Sequence, residues 1–308
     1  MPPAAAADTG APVAPAAPAD TGAPASPPAS VASAPAADLP LMDPVTGGYY
    51  FRRKRPAVGT RVSESETKTM SLTVAVSIKP GAAPVKSAQS ERELNERVVE
   101  ILASTDDAVT KVKVAYSARE KTETKNGKDS VTRDPVAGKT YIVEAKSGTI
   151  VVQTPGGSPA PDDEATLVRK DFKRLGKPDS MQKALPTAPI KVGDKVDSLA
   201  EGLRDRLTGD EGPNEMTADN VVVTLTDVKD VDGAKTGVFN YSLDMVVNRG
   251  ALVIRMKVTG EVAIRLEDGM PVKLTMQAPT TVASAPGSKG PAVGGAGIAT
   301  ASLTRTLL

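Results

Sequence analysis

Ser65-Glu66-Thr67-Lys68 sets a hydroxyl three residues ahead of an amine, the S-x-x-K spacing with which a lysine can activate a serine for acyl transfer. Ala218-Asp219-Asn220 approximates the S-D-N that accompanies it, and Lys235-Thr236-Gly237 is K-T-G, in the right chain order. That chemistry needs the serine and lysine on one helix face, about a turn apart. Residues 60–79 read as a strand instead, the middle motif lacks its serine, and Lys235 follows Ala218 by only 17 residues. Asp227, Asp230 and Asp232-Gly233 suggest oxygen ligands for calcium. With the EF-hand glycine on Gly233, however, Val228 and Phe239 fall at the first and last ligand positions, so an Asp-rich turn is expected. Asp106-Asp107 and Asp162-Asp163-Glu164 offer paired carboxylates for acid–base work, but a strand start and a helix N-terminus make them caps. Gly295-Ala296-Gly297 neither follows a strand nor opens a helix, which excludes a dinucleotide site there. No catalytic, cofactor-binding or metal-ligating residue is assigned, and a non-enzymatic protein without a cofactor is expected.

Composition narrows the chemistry further. The 308 residues contain no His, Cys or Trp, which excludes Ser-His-Asp and Cys-His catalysis, thiolate or imidazole zinc sites and cysteine-held clusters. Lys plus Arg is 38 against 37 Asp plus Glu, so the general phosphate attraction of a dedicated nucleic-acid binder is missing. The single basic run, Tyr49-Tyr50-Phe51-Arg52-Arg53-Lys54-Arg55-Pro56, could stack on single strands or sit at an anionic membrane surface. The plainer reading is a solvated first strand or the end of a linker.

The elements that would position any site begin after a long proline-rich stretch. Residues 1–44 hold 11 of the 26 prolines and 16 alanines, with Ala-Asp-Thr-Gly-Ala-Pro at Ala7–Pro12 and again at Ala19–Pro24. Proline fixes φ and removes donors, and alanine buries little area, so this composition predicts a disordered tail or semi-rigid stalk over residues 1–56. Met1-Pro2-Pro3 lacks a basic start and no apolar stretch of about 7–15 residues follows, so no signal segment is read in this chain. No run of about 18 apolar residues suggests a membrane span. An Ala/Pro spacer ahead of a β-rich domain nevertheless points to a periplasmic, outer-membrane-associated or secreted location.

Residues 57–284 read as a single α+β domain. Met70, Leu72, Val74, Val76 and Ile78 alternate with polar neighbours, and Pro80-Gly81 ends that strand. Ser90-x-x-Glu93 forms a capping box ahead of Leu94, Val98, Ile101 and Leu102, which predicts a helix. Val112, Val114, Tyr116 and Ala118 then share a strand face. Asn126-Gly127 and Ser147-Gly148 predict hairpins, the latter joining 139–144 to 149–154. A helix opens at Pro161, buries Leu167 or Val168, Phe172 and Leu175, and stops at Gly176; another at about 197–208 aligns Leu199, Leu203 and Leu207. Asp232-Gly233, Arg249-Gly250 and Asp268-Gly269 punctuate four strands at about 219–230, 235–247, 251–266 and 270–283. Leu252 to Leu266 put their apolar residues on one parity, with Gly260 in that row as an expected bulge or bend. Residues 285–308 read as a Gly/Pro/Ser link and a possible final strand, 298–307. The fold expected is a mainly antiparallel, strongly curved sheet, a half-barrel-like meander, covered by two or three helices.

The order strand–helix–strand, then Lys139-Thr140-Tyr141-Ile142-Val143 and Gly148-Thr149-Ile150-Val151-Val152, an acidic-capped helix, Leu185-Pro186, Val192-Gly193-Asp194-Lys195-Val196 and a β-meander resembles a group of uncharacterised bacterial envelope proteins. Those are similar in outline to the periplasmic lipoprotein-carrier half-barrels. The resemblance implies an apolar or lipid-like ligand on the concave sheet face and supplies no catalytic residues. The expectation is a cell-envelope or secreted protein that binds such a ligand. The alternative is a structural module with a fully packed sheet that binds an envelope protein partner.

Overall fold

The structure is a computed structural model and describes residues 40–77, 83–106, 108–125, 127–208 and 215–308. Among these residues are eleven strands and three helices. The strands are β1 (Arg61–Ser77), β2 (Val85–Ser104), β3 (Val109–Lys125), β4 (Lys128–Arg133), β5 (Thr140–Lys146), β6 (Thr149–Gln153), β7 (Met216–Val231), β8 (Ala234–Arg249), β9 (Leu252–Arg265), β10 (Pro271–Ser284) and β11 (Ala292–Leu307). Helices α1 (Asp162–Asp171), α2 (Ser180–Ala184) and α3 (Asp197–Thr208) lie between β6 and β7 in the chain. All strands join one open, curved antiparallel sheet in the order β6-β5-β3-β2-β1-β11-β10-β9-β8-β7, with β4 on the far half of β3. The expected final strand is real and longer than read, and it pairs along β1 on one side and β10 on the other.

The helix expected at Ser90–Leu102 does not form, and the segment is the middle of β2. Leu94, Val98 and Leu102 are four residues apart, a step that keeps one face of a helix and equally one face of a strand. Pairing with β1 and β3 on both sides decides in favour of the strand. The bulge expected at Gly260 is also absent, because the β9 register against β8 runs through it unshifted. Gly260 is required for another reason. A Cβ there would run into the Tyr241 ring and the Thr275 carbonyl, to which Tyr241 Oη donates at 3.0 Å.

A bulge does occur in β3, where Tyr116 pairs Arg97 and Ala118 pairs Glu96. It resets the alternation. Ala118, expected beside Tyr116, turns to the other face, and Arg119 takes its place. The Ser147-Gly148 and Asp232-Gly233 turns have positive φ at both central positions, as a tight hairpin demands. Asn126 and Pro80-Gly81 lie outside the described residues.

Two apolar clusters share one sheet face. In the first, Leu199 and Leu203 of α3 pack on Leu225, Phe239, Leu243, Val258 and Val262. In the second, Ala165 and Val168 of α1 pack on Val112, Val114, Tyr141, Val143 and Val152. Residues read as the end of the tail are bound into the fold: Phe51 is buried with its ring 5.3 Å from that of Phe239, and Arg52 N–H donates to the Leu266 carbonyl.

Candidate functional site: a cationic cleft between the helices

Between the two clusters the sheet face changes character. Cross-strand register places Val62, Glu64, Glu66 and Lys68 of β1 beside Val99, Arg97, Asn95 and Glu93 of β2. The strip is apolar at the Val62–Val99 end and charged beyond it. Glu64 is buried and binds two guanidinium groups, Arg97 Nε at 2.7 Å and Arg305 Nε at 2.8 Å. Burial alone would raise its pKa, but Arg305 and Arg97 together hold the carboxyl below the usual range. Asp171, at the end of α1, accepts from Tyr116 Oη at 2.9 Å and pairs with Arg97 and Arg119, so it ties α1 to β2 and β3. Burial and the Asp171 charge push the Tyr116 hydroxyl well above its usual pKa. At the opposite end of α1, Glu164 accepts from Lys139 and Tyr141, both at 2.6 Å, and these bonds hold it below the ordinary carboxylate range.

A cleft of about 290 Å3 opens where neither helix group covers the strip. That is the lower end of volumes typical of small-molecule sites. Its floor is Val62, Val99, Ile101 and Val112 from β1, β2 and β3, and Leu175 and Met270 wall it. Its polar lining is mostly cationic: Arg55, Arg174, Lys177, Arg206 and Arg305 against Glu64 and Asp179. Arg206 meets Asp179 at 3.7 Å. Burial lowers the Arg206 pKa; Asp179 opposes this, while Arg305 and Arg174 add to it. A smaller cavity of about 40 Å3 adjoins under α3, sharing Arg206, Pro271 and Arg305 and also lined by Lys273, Tyr241 and apolar residues such as Leu203 and Val262. Along Leu252–Leu266, where a groove was a prospect, Val258, Val262, Ile264 and Leu266 are buried and Leu252, Ile254 and Met256 half-buried. The available space is instead over β1–β3.

The residues singled out by motif are not brought together. Ser65 and Lys68 have opposite parity on β1 and so face opposite sides of the sheet, and Lys68 Nζ lies 2.9 Å from Glu66. Between β1 and β8, which carries Lys235, lie β11, β10 and β9, about 19 Å along the sheet. Lys235 pairs with Asp230 at 2.9 Å across the Asp232-Gly233 turn. Asn220 donates to Asp244 at a register shift in β7. Gly295-Ala296-Gly297 is inside β11. Asp107 lies outside the described residues. From the basic run, Arg53 donates to the Leu185 carbonyl and Arg55 to that of Thr105. Sequence reasoning missed Arg97, Arg119, Asp171, Arg206 and Arg305. For Arg97, Asp171, Arg206 and Arg305 the only signal was charge on parities or helix faces that otherwise read as apolar, and Arg119 gave none, because only the β3 bulge brings it to that face.

Among the described residues no helix is long and apolar enough to cross a membrane. No family model matches the chain, and no curated protein matches it. A structure search gives an outer membrane channel from Pseudomonas putida F1, at 8% identity and a TM-score of 0.22, covering 83% of this chain and 97% of that one. At that score the likeness carries nothing over to this chain.

Proposed function

We propose that this chain is a non-enzymatic bacterial cell-envelope or secreted protein that binds a lipid-like apolar ligand on the helix-bearing face of its sheet. The observation that carries this reading is the cleft itself. Val62, Val99, Ile101 and Val112 form an apolar floor between the two helix-covered clusters, and about 290 Å3 stands open above it. Val62, Ile101 and Val112 are already largely out of water, and a ligand chain laid on them would add apolar contact to a surface that binds no water well. An open eleven-stranded sheet with its helices on one face also supports the outline implied by the resemblance to lipoprotein-carrier half-barrels. Native mass spectrometry of protein purified without detergent from its own host tests the reading. A mass excess released on unfolding as a lipid-like species is expected, and a clean apo mass would overturn tight binding.

A second reading, a structural module that binds an envelope partner, draws on one observation. Leu199 and Leu203 fill the β8–β9 face and leave only about 40 Å3 there. A clean apo mass would favour it.

A further inference from the structure

We infer that the cleft selects an amphiphile with an anionic headgroup, carboxylate or phosphate, seated against Lys177, Arg206 and Arg305 with its chain on the Val62–Val99–Ile101 floor. The inference rests on the apolar-ligand reading above and adds the headgroup class to it. Three observations carry it.

The first is charge. Two carboxylates line the cleft, and Glu64 is already divided between Arg97 and Arg305. Asp179 meets Arg206 at 3.7 Å, longer than a hydrogen-bonded ion pair. Lys177 is exposed and forms no ion pair among the described residues. Arg55 and Arg174 line the same cleft while also engaging other groups. Among the residues that line the cleft, cations therefore outnumber carboxylates.

The second is confinement. The Arg206 side chain is only 37% exposed and the Arg305 side chain 21%, so water screens them less than it would at an open surface. Burial, together with Arg305 and Arg174, already works against the charge on Arg206. A bound anion relieves that repulsion, whereas a bare alkyl chain leaves it in place. Guanidinium groups also match the two oxygens of a carboxylate or phosphate in geometry.

The third is adjacency. The cations and the valines line one cavity, and Arg206 and Arg305 line the apolar extension under α3 as well. Head and chain thus have contiguous seats.

Calorimetric titration of the full-length protein with decanoate, decyl phosphate, decanol and inorganic phosphate tests this. Decanoate and decyl phosphate should bind at least about tenfold more tightly than decanol, and inorganic phosphate more weakly than decyl phosphate. Arg206→Gln should remove that advantage without changing decanol affinity, and Arg206→Lys should restore part of it. Unchanged melting of both variants establishes that they are folded. Equal binding of decanol and decanoate would overturn the headgroup inference and leave the apolar-ligand reading standing. Failure of all three alkyl ligands would overturn both. Inorganic phosphate binding as tightly as decyl phosphate would make this a free-anion site and overturn the amphiphile.

Discussion

Glu64 of β1 and Arg305 of β11 are register partners, and their side chains meet at 2.8 Å, joining two strands far apart in the chain at the middle of the sheet. Arg97 holds the other carboxylate oxygen. Replacing Glu64 by alanine leaves the partly buried Arg305 without this anion and Arg97 with Asp171 alone. That should cost about 3–5 kcal/mol, because removing one member of a buried pair leaves an uncompensated charge. Urea denaturation would read this as a lower midpoint at unchanged slope.

The same carboxyl gives the pH dependence its sign. Its folded pKa lies below its unfolded value, so its stabilisation is present above the ordinary glutamate range and is lost as pH falls through the folded pKa. The melting temperature of the native protein should therefore drop on the acid side. Glu64→Gln should flatten that limb, and melting curves collected in steps below pH 5 compare the two. An equally steep limb in the variant would move the effect to other carboxylates.

Asp171 is the tether of α1. Asp171→Asn keeps the shape and weakens the contacts to Arg97, Arg119 and Tyr116. Hydrogen exchange should accelerate along α1 by a factor of about 10 or more while α3, packed on the other cluster, keeps its protection. Uniform acceleration through both helices would refute independent anchoring.

How much of this could be read beforehand depended on whether a residue's partners were near it in the chain. The parity of β9, the Ser147-Gly148 and Asp232-Gly233 turns, and the α1 and α3 stripes are local patterns, and all of them are present in the fold. The segment Ser90–Leu102 misled because a four-residue apolar step satisfies both periods, and only the neighbouring strands choose between them. The β3 bulge was invisible for a related reason: one inserted residue after Tyr116 reverses the alternation with no change in composition. The cleft was the least legible feature. Its floor and its cations come from segments as far apart as Val62, Arg206 and Arg305, which only the sheet order brings together.

Gly260 offers a sharper test of packing. Gly260→Ala should destabilise by about 1–3 kcal/mol, since the added methyl meets the Tyr241 ring and the Thr275 carbonyl within a continuous ladder. Gly290→Ala, where a Cβ would meet nothing within 4 Å, is the control and should lie within about 0.5 kcal/mol of the native protein.

Phe51 is the corresponding test of the segment ahead of β1. Phe51→Ala removes a ring 5% exposed and packed on Phe239, and should cost about 3–5 kcal/mol in chemical denaturation. A loss below about 0.5 kcal/mol would make residues 40–56 a linker in energetic terms.

The pairing of β1 with β11 also governs the order in which a growing chain becomes complete. The β7–β10 hairpins and the β5–β6 hairpin close from neighbouring segments, but one side of β1 waits for residues 292–307. Throughout that interval a 17-residue strand presents unpaired amides and carbonyls, a template on which another chain can add. Synthesis itself thus carries the aggregation hazard, and it is discharged only when β11 has been made. Chains truncated before Ala292 should precipitate at concentrations where the full-length protein stays in solution, and an added β11 peptide should rescue them.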